Sequence, residues 1–369
     1  MHWNLKFRTL VTICALVVVL ISIRGITMVY PQSSTIVSYF SNPHLRSILS
    51  TSEWRGNPVD KNNRFVNPEN PFKPAFGMAL KFLIGPNPQK EIKKNDTYQL
   101  PIERDTSFLN NNKDVIVWLG HASFFIRING ICILTDPVFY NSGAAKRKSP
   151  LPFDANQLRN IDYILISHDH RDHLDKKSLQ LIFSNSKHPE ILAGLRMEEW
   201  FDKMLKDPKV QTAGWYQQYD TDTSKIKIFF MPARHWSRRR IWDTNKHLWG
   251  SFVIEANGKK IFFGGDSGYG SHFEQTGKLF NGIDICIMGI GAFKPEWFMS
   301  SNHTSPSDAA RASNEMNAKQ FIPMHYGTFD FSYEPLGEPV EILKNEKLLN
   351  KLNAELIILP AGKNYYFNL

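Results

Sequence analysis

Six consecutive residues, His168-Asp169-His170-Arg171-Asp172-His173, constrain this chain more than any other feature. Four of them, His168, His170, Asp172 and His173, carry donors that suit a borderline divalent ion such as zinc. They follow at once on the apolar run IDYILIS of residues 161–167, which reads as a short buried strand ending in a tight loop. The spacing lets His168 and His170 hold one ion while Asp172 and His173 hold another. Two ions need further ligands from other strand ends, and the chain supplies His235 in MPARHW, Asp266 in FFGGDSGYG and His325 in IPMHYG. Gly264, Gly265 and Gly268 allow the close backbone approach that a shared carboxylate requires. The seven candidate ligands then divide as three histidines on one ion, Asp172 with two histidines on the other, and Asp266 shared between them. A single ion, or iron or manganese in place of zinc, is compatible with the same donors.

The rest of the chain supplies the strands such a site needs. VIVWLGHASFFIRI and ICILTDPVF flank an Asn129-Gly130 turn and read as a hairpin; SFVIEA and KKIFFGGDS flank Asn257-Gly258 in the same way. KIKIFFMPARH, IDICIMGIG and KQFIPMHYG are further apolar runs whose C-terminal ends carry polar or ionisable residues. DKKSLQLIFSN, SPSDAARASNEMN and VEILKNEKLLNKLN have helical spacing suited to covering sheets from outside. An α/β fold arranged as an αββα sandwich, with its site at the strand ends, is the expected architecture. Three organisational units are expected: a membrane anchor or signal segment at residues 1–30, a proline-rich arm packing on the domain at 31–110, and the domain that carries the candidate metal ligands at 111–369.

The anchor expectation rests on residues 9–30, an apolar stretch interrupted only by Arg24 and preceded by Lys6 and Arg8. As a helix it spans roughly 30 Å of hydrocarbon if Arg24 snorkels. It predicts a membrane-associated protein with a single amino-terminal span and, by the positive-inside rule, the catalytic domain on the non-cytoplasmic side; a cleaved signal and an interfacial helix are the alternatives. The formal charge of +9, from 44 Lys and Arg against 35 Asp and Glu, is mild for 369 residues and selects no partner. Basic residues are scattered and no nucleic-acid module is legible, so no nucleic acid is expected as a partner. The three cysteines form no CxxC pair, which excludes a disulfide framework and disfavours thiolate ligation.

With these residues in view, HDHRDH and its downstream ligands resemble the metallo-β-lactamase superfamily. LGHASFFIRINGICILTDPVF, ISHDHRDHLD, PARHWSRRRIWDTNKHLWGSFVI, FFGGDSGYG and MHYGTFDFSYEPLGEP are similar to the branch of N-acyl-phosphatidylethanolamine-hydrolysing phospholipase D enzymes. The resemblance runs from about Phe65 to the C-terminal region and is weaker before Asp114. It implies two zinc ions (Zn²⁺), the first on His168, His170 and His235 and the second on Asp172, His173 and His325, with Asp266 as bridge and catalytic residue. It also implies His303, in SSNHTSP, as an additional histidine at the reaction centre. The implied activity is a phospholipase D-type hydrolysis releasing N-acylethanolamine and phosphatidate, with a phospholipid substrate, a membrane surface as partner and a homodimer as assembly. Phe72, Phe76, Met78, Leu80, Phe82 and Leu83 are then candidates for an acyl entrance, and Arg238, Arg239 and Arg240 for meeting acidic headgroups; ordinary packing and a solvated basic run are the competing readings. A hydrolase of a soluble sugar-phosphate lactone or nucleotide, and a non-enzymatic binding protein, are the other functional readings. The amino-terminal segment and the proline-rich arm depart from the animal enzymes.

Overall fold

A computed structural model describes residues 35–71 and 76–367 of the chain. Within it, the first β-rich run folds as a three-stranded meander, Val115–Gly120, Ser123–Ile128 and Ile131–Thr135. Asn129 and Gly130 both take positive φ (52° and 76°) and set Ile128 opposite Ile131. Asn257 and Gly258 (49° and 71°) do the same between Ser251–Ala256 and Lys259–Phe263. Left-handed turns of this kind match the twist of the strands they join, so both hairpins form where the Asn-Gly pairs predict. The run before Asn129 also breaks in its middle, at Gly120 and His121, where φ is 98° and 54°.

The meander continues into parallel strands Tyr163–Ile166, Glu190–Gly194 and Lys209–Ala213, and Asn364–Tyr366 closes this seven-stranded sheet on the other side. An eight-stranded sheet faces it. Lys227–Met231, Ser251–Ala256 and Lys259–Phe263 are antiparallel there, and Ile285–Gly289 and Gln320–Met324 extend it in parallel.

Alternation along the strands builds the layers. Ile116 and Trp118 enter the core shared with the second sheet, whereas Val115, Val117 and Leu119 join Leu179, Ile182, Trp200 and Phe201 of helices Lys176–Asn185 and Glu198–Met204. A period of two with both faces apolar requires cover on each side. The second sheet receives it from helices His272–Leu279, Pro306–Glu315 and Glu338–Leu348, through Phe273, Ala309 and Leu343. The helices start where local chemistry dictates: Asp175 accepts from the Ser178 amide, and Ser305 with Asp308 forms a capping box ahead of Pro306. The result is an αββα sandwich with mixed sheets. Its two sheets meet at the end of Tyr163–Ile166, where the Gly250 amide donates to the Ser167 carbonyl at 3.0 Å.

Before the meander, Ile36–Phe40 pairs with Asn57–Asp60, and Arg46–Ser47 forms one edge of the eight-stranded sheet. Helix Phe76–Ile84 lies against the domain through Phe82, which stacks on Phe298 (4.8 Å between ring centres) and Tyr333 (5.2 Å). The expected amino-terminal membrane helix, and the membrane-associated localisation drawn from it, require correction. Among the described residues no helix is long and apolar enough to cross a membrane. The longest of those named here, Glu338–Leu348 at 11 residues, spans about 16 Å against a hydrocarbon core of about 30 Å. The stretch 9–30 on which that expectation rested lies outside the described residues.

Candidate metal centre

The loop after Tyr163–Ile166 turns His168 and His170 toward His235, which follows the strand Lys227–Met231. His168 Nε2 lies 2.9 Å from His170 Nδ1, and His170 Nδ1 lies 3.1 Å from His235 Nε2. Hydrogen-bond partners on the far side of two rings fix what these nitrogens present. Asn302 offers only a carbonyl oxygen to His235 Nδ1 (2.9 Å), so that nitrogen carries the proton and Nε2 carries a lone pair. Ser167 Oγ donates to Asp136 Oδ2 (2.6 Å), so it accepts from His168 Nδ1 (2.9 Å), and His168 Nε2 is likewise a lone pair. Lone pairs about 3 Å apart repel unless a cation sits among them, which is the donor set of a three-histidine metal site. Burial holds both His168 and His235 well below the usual imidazole range, and both are neutral.

Asp172, His173 and His325 form a second group beside the first. Asp172 Oδ2 lies 3.5 Å from His173 Nε2 and 3.7 Å from His325 Nε2. His173 donates from Nδ1 to the fully buried Asp136 (2.7 Å), aiming Nε2 inward. Asp266 stands between the groups: Oδ2 is 3.1 Å from His173 Nε2 and 3.9 Å from both His168 and His235 Nε2, while Oδ1 is 3.1 Å from His325 Nε2. Gly265 permits this approach, because its φ of 55° is left-handed and a Cβ there would lie 2.7 Å from the Ser167 Cβ. Burial opposes charge on Asp172 and Asp266, yet His173 foremost draws both well below the usual carboxylate range. In return, against the pull of burial, the two carboxylates hold His173 well above the ordinary imidazole value and push His325 up to about 9. The second group therefore holds protons where a divalent ion would place positive charge. Among the described residues, His173 Nε2, His325 Nε2 and Asp266 Oδ1 are buried with no hydrogen-bond partner, and each aims into this cluster. The donors present fit divalent ions.

All seven candidate residues from the sequence are thus brought together. His303 joins them at the rim, its ring 5.3 Å from His235 and 5.4 Å from His325, and Nδ1 is 3.8 Å from Asp266; burial lowers it to about 4, leaving it neutral. Of the basic run, Arg239 is a brace for the ligand loop, donating to the carbonyls of Asp169 (3.1 Å) and Leu174 (2.9 Å). Sequence reasoning missed Asp136 and His121. Asp136 orients His173 directly and His168 through Ser167. His121 places Nε2 3.0 Å from Asp172 Oδ2 and its ring centre 3.9 Å from that of His325. The only sequence signal for His121 was a polar residue after a glycine inside an otherwise apolar run.

Comparison with known proteins agrees with this geometry. A model of the beta-lactamase superfamily domain matches residues 132–326, more than half of the chain and a range that includes all seven candidate ligands. N-acyl-phosphatidylethanolamine-hydrolyzing phospholipase D 1 of Caenorhabditis elegans is 25% identical over 338 residues, covering 85% of this chain and 92% of its own. A metal-dependent hydrolase of Caldivirga maquilingensis is 29% identical over 213 residues, covering 58% of this chain and 82% of its own. Among solved structures, Igni18, a metallo hydrolase of Ignicoccus hospitalis, shares the fold with a TM-score of 0.52 and 18% identity, over 70% of this chain and 99% of that one. Because the matched segment carries the ligand loop and the strand ends that meet it, this chain belongs to the metallo-β-lactamase superfamily as a metal-dependent hydrolase.

Proposed function

We propose that this chain is a dinuclear zinc phosphodiesterase that hydrolyses N-acyl-phosphatidylethanolamine-type phospholipids to N-acylethanolamine and phosphatidate. The observation that carries a two-ion reading is Asp266, whose carboxylate stands between the two donor groups, 3.1 Å from the Nε2 atoms of His173 and His325 and 3.9 Å from those of His168 and His235. His168, His170 and His235 would hold one ion, and Asp172, His173 and His325 the other. Bound there, a divalent pair lowers the pKa of a water and stabilises negative charge on a phosphate. The protein's own groups do the rest. Asp136 and the Asn302 carbonyl accept from Nδ1 of His173 and His235 and so aim each Nε2 toward the centre, Asp266 is placed to accept a proton from attacking water, and neutral His303 offers a hydrogen bond to a substrate oxygen at the rim.

The phospholipid reading draws on the C. elegans relative, which matches nearly the whole length of both chains. Support also comes from helix Phe76–Ile84, which presents Met78, Leu80 and Leu83 to solvent. Through Phe82 and Phe298 it adjoins the turn that leads to His303. These side chains form an apolar ledge suited to an acyl chain. A second reading, hydrolysis of a soluble substrate such as a sugar-phosphate lactone or nucleotide, is favoured by the Caldivirga relative and by a donor set that specifies no more than an oxygen anion. Mixed phospholipids, lactones and nucleotides offered to zinc-loaded protein in H₂¹⁸O separate the two. Phosphatidate carrying the label, with N-acylethanolamine, is the expected result, whereas turnover of soluble esters alone replaces the first reading with the second.

A further inference from the structure

His121 touches both the carboxylate and an imidazole of the second ligand group, yet lies on neither of the loops that carry them. It occupies the break between Val115–Gly120 and Ser123–Ile128, in the left-handed region at φ 54°. A non-glycine residue held there is strained and persists only where its surroundings over-determine it. They do so on every side. The His121 amide donates to Thr328 Oγ1 (2.8 Å), and its carbonyl accepts from Trp118 Nε1 (2.9 Å) and from the His325 amide (3.1 Å). The ring is buried, edge-on to Phe329 (5.0 Å between ring centres) and Phe331 (5.9 Å), and lies over His325. One residue of the seven-stranded sheet is thereby tied to the loop of the eight-stranded sheet that presents His325.

The geometry points to His121 as the positioning residue of the second metal site: its Nε2–H donates to Asp172 Oδ2 while its backbone and ring hold His325, setting the distance between a ligand from each sheet. This rests on the two-ion reading above. A neutral imidazole has one N–H, and a carboxylate oxygen 3.0 Å away can only accept it, so His121 acts through Asp172. Outer hydrogen bonds of this kind orient ligands and typically change metal affinity by about 10–100-fold. Among the described residues the His121 side chain meets Asp172, His173 and His325 of the second group, together with Phe329 and Phe331, so the effect is confined to one ion.

The test is a zinc titration of metal-free protein, read by calorimetry, for wild type, His121→Phe and His121→Gln. Phenylalanine keeps the stacked ring and removes the donor; glutamine restores an N–H at similar reach. His121→Phe is expected to weaken one of two binding steps by about 10–100-fold and leave the other unchanged, and His121→Gln to recover most of the loss. The unchanged step also reports that the fold is intact. The inference is overturned if His121→Phe binds both ions as wild type does, if both steps weaken together, or if His121→Gln is as weak as His121→Phe. A wild-type chain with one binding step overturns the two-ion reading itself, and this inference with it.

Discussion

The two ligand groups sit side by side around Asp266 and are built on opposite principles. His168, His170 and His235 form a neutral set, with two nitrogens aimed by groups that can only accept or relay a hydrogen bond. Asp172, His173 and His325 form a charged set in which carboxylates hold protons on imidazoles. The first group is ready to bind a cation as it stands. The second must exchange protons for it. Ligand type alone does not show this difference, because histidines dominate both groups; it arises from what stands behind each ring.

Removing the shared residue breaks the comparison most severely. Asp266→Asn is expected to reduce turnover by about 10³-fold or more and to cut zinc content, read by steady-state kinetics and elemental analysis. Equal metal and rate in this variant would separate the two groups entirely. His303→Ala touches neither group directly through a short contact, so it is expected to lower kcat by about 10²-fold with zinc content unchanged. Asp136→Asn addresses both groups at once, since it orients His173 and, through Ser167, His168; affinities for both ions are expected to fall by about 10–100-fold in a zinc titration. An effect on one step alone would show that the Ser167 relay is idle.

Acidity sharpens the same contrast. In metal-free protein His325 keeps its proton up to about pH 9, so a cation entering the second group must expel it, and affinity there falls as pH falls from 9 toward 7. The slope is about tenfold per pH unit for each proton displaced. The neutral group lies below the ordinary imidazole value already and is expected to change little over that range. Calorimetry in buffers of different ionisation heat counts the protons released in each step.

The neutral group was largely legible in the amino-acid sequence, and the control of the charged group was not. Ligands within residues 168–173 are local, so their spacing is visible without a fold. His235, Asp266 and His325 were found because each follows an apolar run that had to be a strand. The Asn-Gly hairpins were legible for a similar reason, since that pair adopts left-handed backbone on its own account. Asp136 and His121 make their decisive contacts 37 and 51 positions away, and each sits in a local context that explains it otherwise: Asp136 before a proline in a turn, His121 inside an apolar run. Arg239 read as surface charge because a run of three arginines does not reveal that the middle one reaches two carbonyls of the ligand loop.

The central claim is that two ions bind, one in each group, with Asp266 between them. Anomalous diffraction at the zinc absorption edge from crystals of zinc-loaded protein tests it directly. Two peaks are expected, one among His168, His170 and His235 and one among Asp172, His173 and His325, both adjoining Asp266. A single peak, or a second one at the other buried cluster of Asp169, Asp243 and His247, would contradict it.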